Sequence, residues 1–236
     1  MSASSPQIVP TAEVSSSAPL ASRRRRLSSE DRRRQLMDQA VKLVSQRGFS
    51  GTRTKDIAAA CGVSEGILFR HFATKEDLYR AILESHADEA GSREWLSEMK
   101  RLAAAREDLE LITVLVSHLI RNFRDNAAFH RLMLYAWLEG HAMASMAHQQ
   151  LGQPIFDFLR KYVTQRQREG AFRSGNPATM VIALYSPALQ FAMTKYVFGM
   201  QLCQPDDQLA IEQFAEMLLA GIRAPKGRAI KKRRSS

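Results

Sequence analysis

Between residues 53 and 75 the chain sets out polar and cationic side chains at the starts and ends of short helical segments. Thr54 opens one segment, where free backbone N–H groups and the helix dipole favour an anion such as phosphate. Arg70 and His71 close the next segment, and Lys75 opens a third. These are donors of the kind that grip phosphate oxygens, and such contacts position a protein without reading sequence. The front of the middle segment holds Ser64, Glu65, Gly66 and Ile67, with Arg53 and Lys55 close by. Side chains there would face base edges. Glu65 is an acid among cations. It can accept from a cytosine amino group, or it can simply complement the positive end of its helix; both readings stand. Phe72 reads as core. His71 has a structural alternative, but its place at the end of a basic segment favours phosphate.

The elements that must carry these residues follow from the apolar spacing. A first helix starts at an N-cap Ser29, with Glu30 and Asp31 in its first turn and a stripe of Leu36, Ala40, Leu43 and Val44, and it ends at Gly48. A second runs from about Thr54 to Cys61 and a third from about Ser64 to Phe72. Ala58 lies four residues before Gly62, so a small side chain lets the two helices cross closely while Gly62 supplies a left-handed turn. Ile57, Val63 and Leu68 plug the angle, and Ser64 is placed to cap the third helix. A fourth helix follows Thr74, with Asp77 at the capping-box position and Leu78, Ile82 and His86 on its inner face. This is how a helix-turn-helix is built, with its second helix bound for the major groove.

The runs Gly51-Thr52-Arg53-Thr54-Lys55-Asp56-Ile57-Ala58, Cys61-Gly62-Val63-Ser64-Glu65-Gly66-Ile67-Leu68-Phe69-Arg70-His71-Phe72 and Thr74-Lys75-Glu76-Asp77-Leu78 resemble the N-terminal domain of the TetR family. The resemblance covers roughly residues 30–83. It implies a homodimer, an operator of two half-sites, and a C-terminal domain that binds a small effector and dimerises. It also implies that Thr54, Ser64, Phe69, His71 and Lys75 occupy positions that touch DNA. Phe69 stands where the family commonly has Tyr, so a hydroxyl contact to phosphate is lost. Cys61 stands where Ala is usual.

Charge is distributed to match. The 236-residue chain carries a formal +10. Residues 1–29 contribute +3, residues 30–75 have nine basic and five acidic side chains, and residues 223–236 have seven basic and none acidic, which leaves 76–222 at −4. The basic excess lies in both tails and the N-terminal segment, over a mildly acidic body. The Ser/Ala/Pro-rich residues 1–28 and the basic residues 224–236 read as disordered tails that add salt-dependent, sequence-independent affinity for DNA. Cys61 and Cys203 are too few for a disulfide framework and read as small buried residues in a reducing cytoplasm. Arg23 to Arg26 are followed by Ser28-Ser29-Glu30-Asp31 rather than an apolar run, so an export signal is excluded. The uncharged stretch 177–193 is short and holds Pro187, and reads as a buried interface helix rather than a membrane span.

The expected fold is all-α: a three-helix helix-turn-helix domain with a linker helix over residues 29–90, then a larger helical body over 91–223 for ligand binding and dimerisation. The body shows stripes at Leu109, Ile112, Val116, Leu119 and Phe123, at Phe129, Leu132, Met133 and Ala136, and at Ile155, Phe158, Leu159 and Tyr162. His118, His130, His141 and His148 have no metal-ligand spacing, so neither a metal nor a catalytic centre is expected, and no cofactor. An effector pocket is expected among His118, Arg121, Phe123, His130, Met133, Trp137 and Phe156, apolar walls with a few polar groups to orient a ligand. Dimerisation is assigned to the last two helices, through Met180, Leu184, Pro187, Phe191, Phe214 and Leu218. The composite reading is a cytoplasmic, sequence-specific regulator of transcription, in the sense of repression, under small-molecule control. A helix-turn-helix architectural protein without an effector and a helical enzyme using His130 and His141 are the rivals.

Overall fold

The computed structural model describes residues 27–89, 92–200 and 206–225. Residues 1–26 and 226–236 of the two tails, and Cys203, lie outside the described residues. Among the described residues eleven α-helices follow one another: α1 (Ser29–Arg47), α2 (Thr54–Ala60), α3 (Glu65–His71), α4 (Lys75–Glu89), α5 (Ser92–Ala105), α6 (Asp108–Asp125), α7 (Ala127–Leu138), α8 (Ala142–Ala147), α9 (Gln153–Arg168), α10 (Pro177–Ala192) and α11 (Asp207–Ile222). A π-helical turn, His148–Gly152, joins α8 to α9, and another, Met193–Val197, prolongs α10. Among the described residues the only β pairing outside these helices is an isolated bridge between Phe172 and Arg223. The fold is all-α, as expected.

Local signals place most helix ends. Thr74 and Asp77 form the expected capping box: Asp77 N donates to Thr74 Oγ1 (3.0 Å) and Thr74 N to Asp77 Oδ2 (3.1 Å). Gly48 closes α1, its N–H on the Val44 carbonyl. The cap of α1, however, is Ser28 rather than Ser29. Its hydroxyl accepts from Asp31 N at 3.0 Å, because a cap serves the N–H three residues on.

The buried side chains form two cores, and the cores do not follow chain order. One joins Leu36, Ala40, Val44, Ile57, Leu68, Phe72 and Leu78 of α1–α4 to Phe129, Leu132 and Ala136 of α7 and Met143 and Ala144 of α8. The other gathers α5, α6, α9, α10 and α11. A cut at residue 90 therefore does not separate them: α7 and α8 return to complete the N-terminal core. Helix α6 is the centre of the second core, with Leu111, Ile112, Leu115, Val116, Ile120 and Phe123 buried. The expected stripe through Leu109 and Leu119 marks its margin, since both are only half-buried. A helix enclosed by α5, α10 and α11 is apolar over more than one stripe.

Candidate nucleic-acid interface

Helices α2 and α3 cross over buried Ile57, Ala58 and Leu68, with Val63 packed at the edge. Gly62 takes φ +68°, the left-handed conformation an L side chain resists, and no atom lies within 4 Å of where its Cβ would be. The turn is closed by Gly62 N on Ala59 O (2.9 Å) and Val63 N on Ala58 O (3.1 Å). The angle between the helices is thus set by backbone geometry and a small residue, which leaves the outer side of α3 free of packing duties.

That outer side carries Glu65, Gly66, Phe69 and Arg70, all exposed, with Ile67 half-buried. Phe69 is 43% exposed, a large apolar surface that no described residue covers. Ser64 stands at the N-cap position of α3 in extended backbone, but its hydroxyl makes no cap hydrogen bond; the expected cap is absent and the hydroxyl is exposed. Gly66 is the second residue of α3 and exposed, a position where Gly is a poorer helix former than Ala, by at most about 1 kcal/mol. A Cβ there would meet only Ser64 Oγ, at 3.9 Å, so no intrachain contact requires the glycine. A bare backbone at this position suits close approach by another molecule. Thr54 Oγ1 donates to Glu65 Oε1 at 2.5 Å, tying the first turns of α2 and α3 together. Arg53 keeps an exposed side chain while its N–H donates to Asp56, and Lys55 is exposed.

Two further candidate residues do more inside the chain than their positions suggested. Lys75 Nζ donates to the carbonyls of Thr52 (2.8 Å) and Phe49 (3.3 Å), bracing the segment that leads into α2. His71 is half-buried, and its carbonyl accepts from Arg33 Nη1 at 3.0 Å. Arg33, whose guanidinium also lies 4.4 Å over the Phe72 ring, was not singled out by spacing. Nor was Glu139, just beyond α7. Its carboxylate accepts from Phe49 N (3.1 Å), Ser50 N (2.9 Å) and Ser50 Oγ (2.6 Å). These bonds, the Ser50 hydroxyl foremost, hold it below the usual carboxylate range. His141 stacks on Phe49 alongside, 4.0 Å between rings. No local signal marks a carboxylate ninety residues away as the anchor of the α1–α2 loop.

The candidate effector residues are dispersed. His118 and Arg121 line a cleft of about 610 Å³ on α6, with Trp95 of α5, Thr113, Ser117 and Asn122. Trp95 stacks on His118 at 4.1 Å. Phe123 and His130 lie beside it, stacked at 3.6 Å, with His130 Nε2 on Asn122 Oδ1 at 2.6 Å. The other three are elsewhere: Met133 packs on the N-terminal core, Phe156 on the body core, and Trp137 is 57% exposed. His86 of α4, stacked on Phe129 at 3.6 Å, completes a histidine group with His118 and His130. Burial pushes His86 and His118 down to about 4 and His130 to about 3, with His118 and His86 as further repelling neighbours of His86 and His130 respectively. Among the described residues no group of three His, Cys, Asp or Glu has metal-binding geometry.

On the last helices, Leu184 is buried in the body's own core rather than outward. Met180, Pro187, Phe191, Phe214 and Leu218 are half-buried, with Phe191 edge-on to Phe214 at 5.8 Å. The outward large apolar residues are Ile182 of α10 and Leu209 and Met217 of α11. Helix α10 is apolar on nearly every side, so spacing alone did not settle which stripe faces out.

A family model described as "Bacterial regulatory proteins, tetR family" matches residues 36–82, from within α1 to the middle of α4. Over these residues the chain carries a TetR-type helix-turn-helix domain. Its resemblance to relatives extends past this domain. It is 23% identical over 198 residues to the uncharacterized HTH-type transcriptional regulator YvkB of Bacillus subtilis (strain 168), covering 81% of this chain and 97% of the relative. It is 36% identical over 88 residues to the HTH-type transcriptional activator FasR of Mycolicibacterium smegmatis, covering 35% of this chain and 40% of that one. Among solved structures, AibR in complex with isovaleryl coenzyme A and operator DNA superposes with a TM-score of 0.59 at 22% identity, covering 83% of this chain and 100% of AibR. Among the described residues, no helix is long and apolar enough to cross a membrane.

Proposed function

We propose that the protein is a cytoplasmic, homodimeric regulator of transcription that binds a two-half-site operator through α3, with binding controlled by a small molecule held in the helical body. The observation that carries this reading is the outer side of α3: an exposed Phe69, a glycine no packing requires, and uncommitted polar groups on a helix-turn-helix whose angle is set from behind. Arg53, Thr54, Lys55, Ser64, Glu65, Gly66, Ile67, Phe69, Arg70, His71 and Lys75 are assigned to DNA. Lys75 and His71 act in part by bracing the α1–α2 loop and the end of α3.

The complex of AibR with an acyl coenzyme A and DNA supports a similar division of labour here. The cleft beside His118 and Arg121 is the proposed effector site. An effector that prefers one arrangement of the body shifts DNA affinity only by that difference. Two helices run from the cleft's neighbourhood to the α1–α2 loop. Helix α4 has His86 near one end and Lys75 at the other; α7 has His130 near one end and is followed by Glu139. The half-buried and exposed apolar residues of α10 and α11, Ile182 and Met217 among them, are assigned to the two-fold interface.

Selection of duplexes from a random pool with the purified protein tests this. A palindromic or inverted-repeat motif is expected, and compounds that release it identify the effector class. A pool that returns no enriched sequence refutes the reading. Repression is the proposed sense of regulation; a promoter fusion with and without the protein decides it.

A further inference from the structure

We infer that Glu65, held by Thr54, makes each half-site require a cytosine at one fixed position; this rests on the proposed function. Thr54 and Glu65 are the first residues of α2 and α3, and Thr54 Oγ1 donates to Glu65 Oε1 at 2.5 Å on the solvent side of the crossing. Glu65 is exposed and Thr54 half-buried. Among the described residues no cation pairs with this carboxylate, although Arg53, Lys55 and Arg70 are close in sequence; the threonine hydroxyl is its hydrogen-bond donor. The bond commits Oε1 and restricts a side chain that would otherwise lose rotamer freedom on docking. Oε2 keeps its accepting capacity.

A carboxylate carried toward a duplex is repelled by phosphates, so it is tolerated only where it meets a donor. The base edges of the major groove differ in what they offer. Guanine presents two acceptors, thymine an acceptor and a methyl group, and adenine a donor beside an acceptor, whereas cytosine presents its N4 amino donor alone. Cytosine is therefore the base that satisfies Oε2 without opposing it. Gly66 lets the backbone beside Glu65 come close, since a Cβ there would project into open space. Thr54 is a positioning residue in this scheme: it orients the group that reads the base.

The test is a selection from a random duplex pool with the full chain, its Glu65→Gln variant and its Thr54→Val variant, followed by fluorescence anisotropy on the enriched site. Wild type is expected to enrich a cytosine at one position per half-site, and replacing that C·G pair by T·A should weaken binding about tenfold. With Glu65→Gln the enriched letter at that position alone should change to adenine, whose amino and N7 groups suit an amide. With Thr54→Val cytosine should remain but with weaker enrichment. Unchanged melting temperatures establish that the variants fold. A Glu65→Gln motif identical to wild type, or one altered equally at every position, overturns the inference and leaves the regulator reading standing. A pool without any enriched sequence overturns that reading itself.

Discussion

At the scale of single residues, α3 holds side chains that do little for the fold. Gly66 is the sharpest case. Its replacement by Ala removes the backbone freedom of glycine in the first turn of a helix, worth at most about 1 kcal/mol, and meets no neighbour closer than 3.9 Å. Gly66→Ala should therefore raise the melting temperature while weakening DNA binding, and paired thermal melts and anisotropy titrations check both signs. A fall in stability would mean that the glycine serves packing after all. The residues that serve packing, Ile57, Ala58, Leu68 and the left-handed Gly62, were legible in the sequence, because a tight turn between two short helices admits few residue types. The uncapped hydroxyl of Ser64 and the Thr54–Glu65 bond were not. They depend on where side chains point once the helices have crossed.

At the scale of elements, the α1–α2 loop is held from three directions: by Glu139 from beyond α7, by Lys75 from α4 and by stacking on His141. A carboxylate that accepts three hydrogen bonds anchors that loop more firmly than its exposure suggests, because charge-assisted bonds to backbone N–H groups are among the stronger ones. Glu139→Ala should speed hydrogen exchange at the Phe49 and Ser50 amides and weaken DNA binding several-fold with helix content unchanged. Exchange at wild-type rates would exclude Glu139 as an anchor.

The histidine group where α4, α6 and α7 meet makes a second prediction. His86, His118 and His130 have folded values of about 4, 4 and 3, all below the ordinary 6.5, so the unfolded chain binds protons more readily than the fold. Their contribution is complete above about pH 6.5 and is lost as pH falls toward 4. Melting temperature should drop steadily from pH 7 to pH 4.5. His118→Phe, which retains a ring against Trp95, should make that slope shallower, and an equal slope in the variant would remove His118 from the account.

At the scale of the whole molecule, the proposed dimer depends on a face that the single chain leaves open. Ile182 is 48% and Met217 59% exposed, beside half-buried Pro187 and Leu218. The double substitution Ile182→Glu with Met217→Glu should yield a monomer in sedimentation. Its operator affinity should fall by orders of magnitude, since one half-site then binds alone. A dimer that survives both charges would place the interface elsewhere.

The helical class, the helix-turn-helix and the residues at its surface were legible in the order of amino acids, because they rest on short-range rules: turn chemistry, caps and 3.6-residue spacing. Only the tertiary structure decided that α7 and α8 belong to the N-terminal core, that Glu139 anchors a loop far away in the chain, and that Leu184 faces inward while Ile182 faces out. Each of these is a choice among faces of a helix apolar on several sides, or a contact between distant segments. Such choices are made by which surfaces remain uncovered when all the helices have packed, and that is a property of the assembled chain.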